Sequence, residues 1–147
     1  MLNESYSISI KGRQQYEEDS GEITLSTMGS YTQRGGVRFI AYKEYDEDDP
    51  RVCHTSVLKI EKDRVTMMRS GGATRLILEK GKRHRCAYDT GFGTMTVGVF
   101  TSQLSSSLGE QGGTLDIKYT LDIDSNLSSK NHLTVEVKPL IATGQFQ

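Results

Sequence analysis

Between Leu115 and Ile123 every second residue is apolar: Leu115, Ile117, Tyr119, Leu121 and Ile123 alternate with Asp116, Lys118, Thr120 and Asp122. Successive side chains of an extended strand point to opposite faces, so this pattern fits a strand with one buried and one wet face and fits no helix. The same period of two runs through Tyr6-Ile8-Ile10, Ile23-Leu25, Val37-Phe39-Ala41, Met95-Val97-Val99 and Leu133-Val135-Val137. All of these are rich in the β-branched and aromatic residues that suit a pleated surface. The chain reads as β throughout.

The punctuation agrees. Gly35-Gly36, Lys62-Asp63, Gly71-Gly72, Lys80-Gly81 and Gly112-Gly113 carry residues that reverse a chain or tolerate positive φ, and they read as hairpin turns. From about Gly21 to Lys138 this gives about eight or nine strands at intervals of roughly ten residues, the spacing of a sandwich or barrel. Two longer breaks stand out: acidic Tyr16 to Gly21, and Gln103 to Gly113, where Ser102 to Leu108 is expected to form a short helix or a wide loop. Pro50 and Pro139 fall at strand ends, where a missing N–H costs little. Closing the sheet removes the exposed edges that invite aggregation. The prediction is a single domain over residues 1–147, an up-and-down antiparallel β-barrel of about eight to ten strands.

Composition narrows the function classes. The chain has 147 residues, 35% of them hydrophobic, and its longest aliphatic runs, such as Leu76-Ile77-Leu78, are three residues long. A transmembrane helix needs roughly 20, so no membrane partner is expected. Met1 to Tyr6 shows neither a positive nor an apolar stretch, which leads to the expectation of a cytoplasmic protein with Cys53 and Cys86 as reduced thiols.

The net charge of -1 hides three blocks: 8 Lys/Arg against 12 Asp/Glu in residues 1–63, 7 against 1 in 64–85, and 3 against 6 in 86–147. A basic middle block invites a nucleic-acid reading. Strand alternation sends the side chains of Lys82-Arg83-His84-Arg85 to both faces, however, and splits the patch. A nucleic-acid partner is therefore not expected, and the basic groups should sit against the acidic loops Glu17-Glu18-Asp19 and Glu44 to Asp49.

Polar residues that point inward are the candidate site. Arg69 shares a face with Val65 and Met67, and a guanidinium delivered to the barrel interior needs a carboxylate, backbone carbonyls, a bound anion or water. Arg75, past the Gly71-Gly72 turn, is expected to lie beside it, making a pair suited to a carboxylate or phosphate. The next strand places His84, Cys86, Tyr88 and Thr90 on one face toward the same space. The bland alternative is that Arg69, Arg75 and Tyr88 tie down the barrel end by bonding to backbone carbonyls. A metal centre is not expected, because His84 and Cys86 with Cys53 or His54 match no zinc spacing. Nucleophilic catalysis is not expected either: Ser70 lacks a Gly-x-Ser-x-Gly context and no helix N-terminus activates Cys86.

Met68-Arg-Ser-Gly-Gly-Ala-Thr-Arg75 followed by Tyr88-Asp-Thr-Gly-Phe-Gly93 resembles the YwiB-like family of small bacterial proteins, from the N-terminal strand to Val137. The resemblance implies a calycin, lipocalin-like barrel. It maps a family Arg-Ser-Gly with a following Arg onto Arg69, Ser70, Gly71 and Arg75, and Tyr-x-Thr-x-Phe-Gly onto Tyr88, Thr90, Phe92 and Gly93. It brings no reaction. The chain has no Trp, hence no Gly-x-Trp barrel-closing motif of secreted lipocalins. The expectation is a non-enzymatic binder, without cofactor, of a small anionic or amphipathic ligand inside the barrel or at its mouth, through Arg69, Ser70, Arg75, His84, Tyr88 and Thr90. The alternative is a filled barrel acting as a structural or interaction module, recognising a protein partner or a second copy of itself.

Overall fold

A computed structural model describes residues 5–45, 48–70, 74–89 and 92–140. Ten strands run in order: β1 (Tyr6–Gln15), β2 (Ser20–Arg34), β3 (Val37–Tyr45), β4 (Cys53–Ile60), β5 (Arg64–Arg69), β6 (Arg75–Glu79), β7 (Arg83–Asp89), β8 (Thr94–Ser106), β9 (Gly113–Ile123) and β10 (Asn126–Pro139). Each is antiparallel to its neighbours in sequence, and β1 pairs with β10 to close the barrel. The up-and-down barrel expected from the alternation is therefore the fold. No helix is long and apolar enough to cross a membrane.

The alternation in β9 is realised at its start, where Leu115 and Ile117 are fully buried and Lys118 is exposed, but reverses in burial at its end, where Asp122 is covered by Arg83 and Ile123 is exposed at the barrel mouth. Inward side chains from every strand meet in one core that includes Ile8, Ile40, Leu58, Val65, Leu78, Val99, Leu115, Ile117, Val135 and Val137. Burial of such residues, at about 1.5–3 kcal/mol each, drives closure of the sheet. Up-and-down topology places the β2–β3, β4–β5, β6–β7 and β8–β9 connections at one end of the barrel, called here the Tyr31 end. The other connections lie at the Glu44 end.

Three local expectations change. Ser102 to Ser106 is neither helix nor loop but the second half of β8, which carries a bulge where its pairing with β9 shifts between Thr101 and Gln103. The extra residue lets Thr101 and Leu104 both face inward, opposite Tyr119 and Ile117. The acidic break is a tight hairpin, with β2 starting at Ser20 and the Tyr16 N–H donating to the Asp19 carbonyl at 2.7 Å. In β3 the inward face is Arg38-Ile40-Tyr42-Glu44 rather than Val37-Phe39-Ala41. Apolar residues occupy both parities of this strand, and the pairing decides: Ile40 stands opposite buried Tyr31 and Leu58. The turn at Gly35-Gly36 does form, with φ of +56° and +86°, which glycine adopts at no steric cost. The Gly71-Gly72 turn lies outside the described residues.

Two seams are irregular. β6 and β7 share a single register pair, Arg75↔Ala87, and the Ile77 N–H donates to the buried Cys86 Sγ at 3.3 Å instead of to a carbonyl. β2 pairs with β3 only over Gly29–Arg34, so Ser20–Met28 is paired with β1 on one side and, among the described residues, with no strand on the other. On the outside of the barrel, Arg83 on β7 reaches over Gly98 of β8 to Asp122 of β9, with Nε and Nη2 at 2.9 and 2.6 Å from the carboxylate oxygens. A Cβ at Gly98 would come within 2.5 Å of both partners, so only glycine leaves room for this bidentate clamp.

Candidate functional site

The structure separates the residues that the sequence grouped. Arg69 is on the inward face at the Glu44 end, opposite buried Ser56, and its guanidinium forms an ion pair with Glu44. It is satisfied by its own barrel. Beneath it, burial first and the Glu44 charge second push the Tyr42 phenol up to about 12. Arg75 pairs with Met68, not with Arg69. Inward positions are odd-numbered on β5 (Val65, Met67, Arg69) and even-numbered on β6 (Leu76, Leu78), so Arg75 points to the outer face and the two guanidiniums do not converge.

Ser70 extends the ladder. Its N–H donates to the Thr55 carbonyl, its Oγ accepts from the Thr55 N–H at 2.8 Å, and its carbonyl is 3.0 Å from His54 Nδ1. His84 sits with Glu79, Nε2 to carboxylate 2.8 Å, and this hydrogen bond holds the Glu79 carboxyl below its usual range. Tyr88 packs against the core near the Glu44 end. Thr90 lies outside the described residues. Of the basic groups, Arg69 meets the second acidic loop at Glu44, while residues 46 and 47 of that loop lie outside the described residues; Arg64 pairs with Glu61, Lys82 with Glu79 and Arg83 with Asp122. These partners lie within three residues or on a nearby strand, where register brings them together. Among the described residues no three His, Cys, Asp or Glu side chains gather as a metal site would require.

An inward arginine with no carboxylate partner among the described residues is Arg38. It points inward at the Tyr31 end, opposite Ile60, and forms no ion pair among the described residues. Its Nε is buried with no hydrogen-bond partner. Beside it is Tyr31, whose hydroxyl donates to the Gly109 carbonyl at 2.7 Å and whose ring meets Tyr6 edge-on at 5.5 Å. Burial raises the Tyr31 phenol above its ordinary range in spite of the Arg38 charge, so the hydroxyl stays a neutral donor. A guanidinium with a buried, unmet donor calls for an acceptor, whether water, a carbonyl or an anion. Sequence reasoning missed it because it assigned β3 the wrong inward face.

A second polar group lies on the inner face of β8, β9 and β10. Thr101, Tyr119 and Asn131 stand side by side across the three strands. Asn131 donates from Nδ2 to Ser129 Oγ at 3.0 Å, but its Oδ1 and the Thr101 Oγ1 are buried without partners. Tyr119 and Asn131 also line a groove of about 1070 Å³ beneath the β1–β2 hairpin, shared with Gln14, Tyr16, Lys118 and His132. On its outer rim His132 Nε2 is 2.7 Å from Asp116, to which Thr134 also donates. Burial alone would raise the Asp116 carboxyl, and these two hydrogen bonds bring it below its usual range. No spacing rule in the sequence marks His132, Asn131 or Thr101.

The comparisons with known proteins agree with this architecture. The model of a family described as a domain of unknown function, DUF1934, matches residues 8–135. No curated protein matches the chain. Among solved structures it is similar to the ywiB protein from Bacillus subtilis, with a TM-score of 0.79 and 18% identity over 91% of this chain and 90% of that one. At that identity the likeness speaks for the fold alone.

Proposed function

The chain belongs to the DUF1934 family of domains of unknown function, and from that premise we propose that it is a non-enzymatic binding barrel that takes a small anionic, amphipathic ligand at the Tyr31 end, with Arg38 as the anion-holding group. The observation that carries this reading is the buried, unpartnered Nε of an inward arginine that has no carboxylate partner among the described residues. A carboxylate or phosphate would supply the missing acceptor and charge, and the Tyr6 and Tyr31 rings would receive an apolar body. Arg69, already joined to Glu44, and outward Arg75 are not needed.

Native mass spectrometry and titration calorimetry of the full chain with octanoate and with inorganic phosphate test it. A one-to-one complex with at least one probe is expected, weakened about tenfold or more in Arg38→Gln and within about twofold of wild type in Arg69→Ala. Phosphate alone would narrow the ligand to a compact anion. No complex with either probe, or one indifferent to Arg38→Gln, overturns the proposal.

A second reading, the interaction module, draws on the unpaired Ser20–Met28 stretch of β2, where Ile23 and Met28 are 67% and 52% exposed. Antiparallel pairing with the same stretch of a second copy, centred on Thr24, would set Ile23 against Leu25 and Glu22 against Ser26, so no like charges face one another. Sedimentation that finds a dimer in wild type and a monomer in Thr24→Pro supports this reading; a monomer at all concentrations ends it.

A further inference from the structure

Thr101, Tyr119 and Asn131 form a row across β8, β9 and β10 roughly 10 Å long, two strand spacings. The two outer members are almost wholly buried, at 0% and 6% exposure, and each carries a buried oxygen without a partner. Such atoms cost free energy unless something meets them, and buried polar groups in folded proteins are overwhelmingly satisfied. Thr101 continues the inward face of Val97 and Val99, and the bulge that follows it returns the apolar Leu104 to the same face.

The chemistry of the row restricts what can complete it. The inward positions of β8, β9 and β10, from Val97 and Val99 through Leu121 to Ser129 and Val137, carry no charged side chain. Charge lies on the groove's rim, at Arg13, Lys118 and Lys130 beside Glu17 and Glu18, but along the row itself a charged ligand would lose its water without gaining a counter-charge. The Asn131 Oδ1 calls for a donor, the Thr101 hydroxyl can give or accept, and the Tyr119 ring offers a flat apolar face. A molecule with several hydroxyls meets all three demands, and the shared groove beneath the β1–β2 hairpin gives it a route to Tyr119 and Asn131.

We infer that this row is a second binding site, for a neutral polyhydroxylated ligand of monosaccharide size, held by Thr101 and Asn131 with Tyr119 between them. It is separate from the Arg38 site and does not depend on it. Proton–nitrogen NMR titration of the full chain with D-glucose and with myo-inositol tests it, reading the Asn131 side-chain amide and the backbone amides of Thr101 and Tyr119. Saturable shifts are expected with at least one probe. Thr101→Val and Asn131→Leu should each weaken binding about tenfold, while Arg38→Gln leaves it unchanged. Thr101→Val replaces an unpartnered hydroxyl by a methyl of similar shape, so a melting temperature at or above wild type is expected for it and separates lost binding from lost folding; Asn131→Leu also removes the hydrogen bond to Ser129 and should melt lower. No saturation by either probe, shifts that survive both variants, or only a fixed water on Asn131 Oδ1 overturns the inference.

Discussion

The barrel has an inward arginine near each end, and the two live differently. At the Glu44 end Arg69 is about half exposed and paired with a carboxylate; at the Tyr31 end Arg38 has a buried, unmet Nε and the Tyr31 hydroxyl for a neighbour. A paired guanidinium at a wet mouth is ordinary surface chemistry. An unpaired one that is partly buried persists only where water or a ligand completes it, or where its cost is tolerated for the sake of binding. The difference teaches that inward direction alone does not mark a site; what decides is whether the barrel itself supplies the partner.

The largest effect that could break this comparison concerns the packing at the Tyr31 end. Leu115→Ala removes a fully buried side chain and should destabilise the barrel by about 2–5 kcal/mol in urea unfolding; a loss below about 1 kcal/mol would mean this end is loosely packed and Arg38 is not held in place. Next, Tyr31→Phe deletes the donor to the Gly109 carbonyl and should cost about 1–2 kcal/mol while leaving the aromatic contact with Tyr6. Smaller still, Glu44→Gln should cost about 1 kcal/mol or less, since its pair with Arg69 is half exposed. Arg38→Met should be neutral or stabilising in the absence of ligand, because it removes the unpartnered donor.

Acid distinguishes the arginines by a smaller margin. The Arg83 hydrogen bonds hold the Asp122 carboxyl below its ordinary range. A carboxyl depressed in the folded state contributes stability above its unfolded value and loses it as pH falls. Wild-type stability should therefore decline between about pH 5 and pH 2, and Asp122→Asn should flatten that decline. Arg38→Met should leave its slope as in wild type, since Arg38 has no carboxylate partner among the described residues. A changed slope would reveal an acidic partner at the Tyr31 end and erase the contrast.

Much of this was legible before any coordinates. Leu115 to Ile123 declared its faces because its polar and apolar residues keep strict step, and the glycine pairs marked most of the turns. β3 could not be read so, since Val37, Phe39, Ile40, Ala41 and Tyr42 are apolar at both parities, and only the pairing with Tyr31 and Leu58 selects the inner face. With that selection went Arg38. The inward direction of Arg69 was legible from Val65 and Met67, but its partner Glu44 is two strands away, and cross-strand register is not written locally. Arg75 was misplaced for a related reason: the parity switch across the β5–β6 hairpin depends on loop length, and one residue of difference reverses every face. Thr101 extends the parity of Val97 and Val99 but is polar and so carried no hydrophobic signal, while the inward turn of Leu104 was hidden because a bulge leaves no compositional mark.

The stretch of β2 that outruns β3 carries its own consequence for how the molecule breathes. Along Ser20–Met28 successive N–H groups point alternately toward β1 and away from it, so in heavy water the exchange rates should form a comb: one amide held by its neighbour, the next open to solvent. The alternation that builds the barrel in space would there be visible in time, and the seam between β2 and β3 is where the closed ring of strands would begin to unzip.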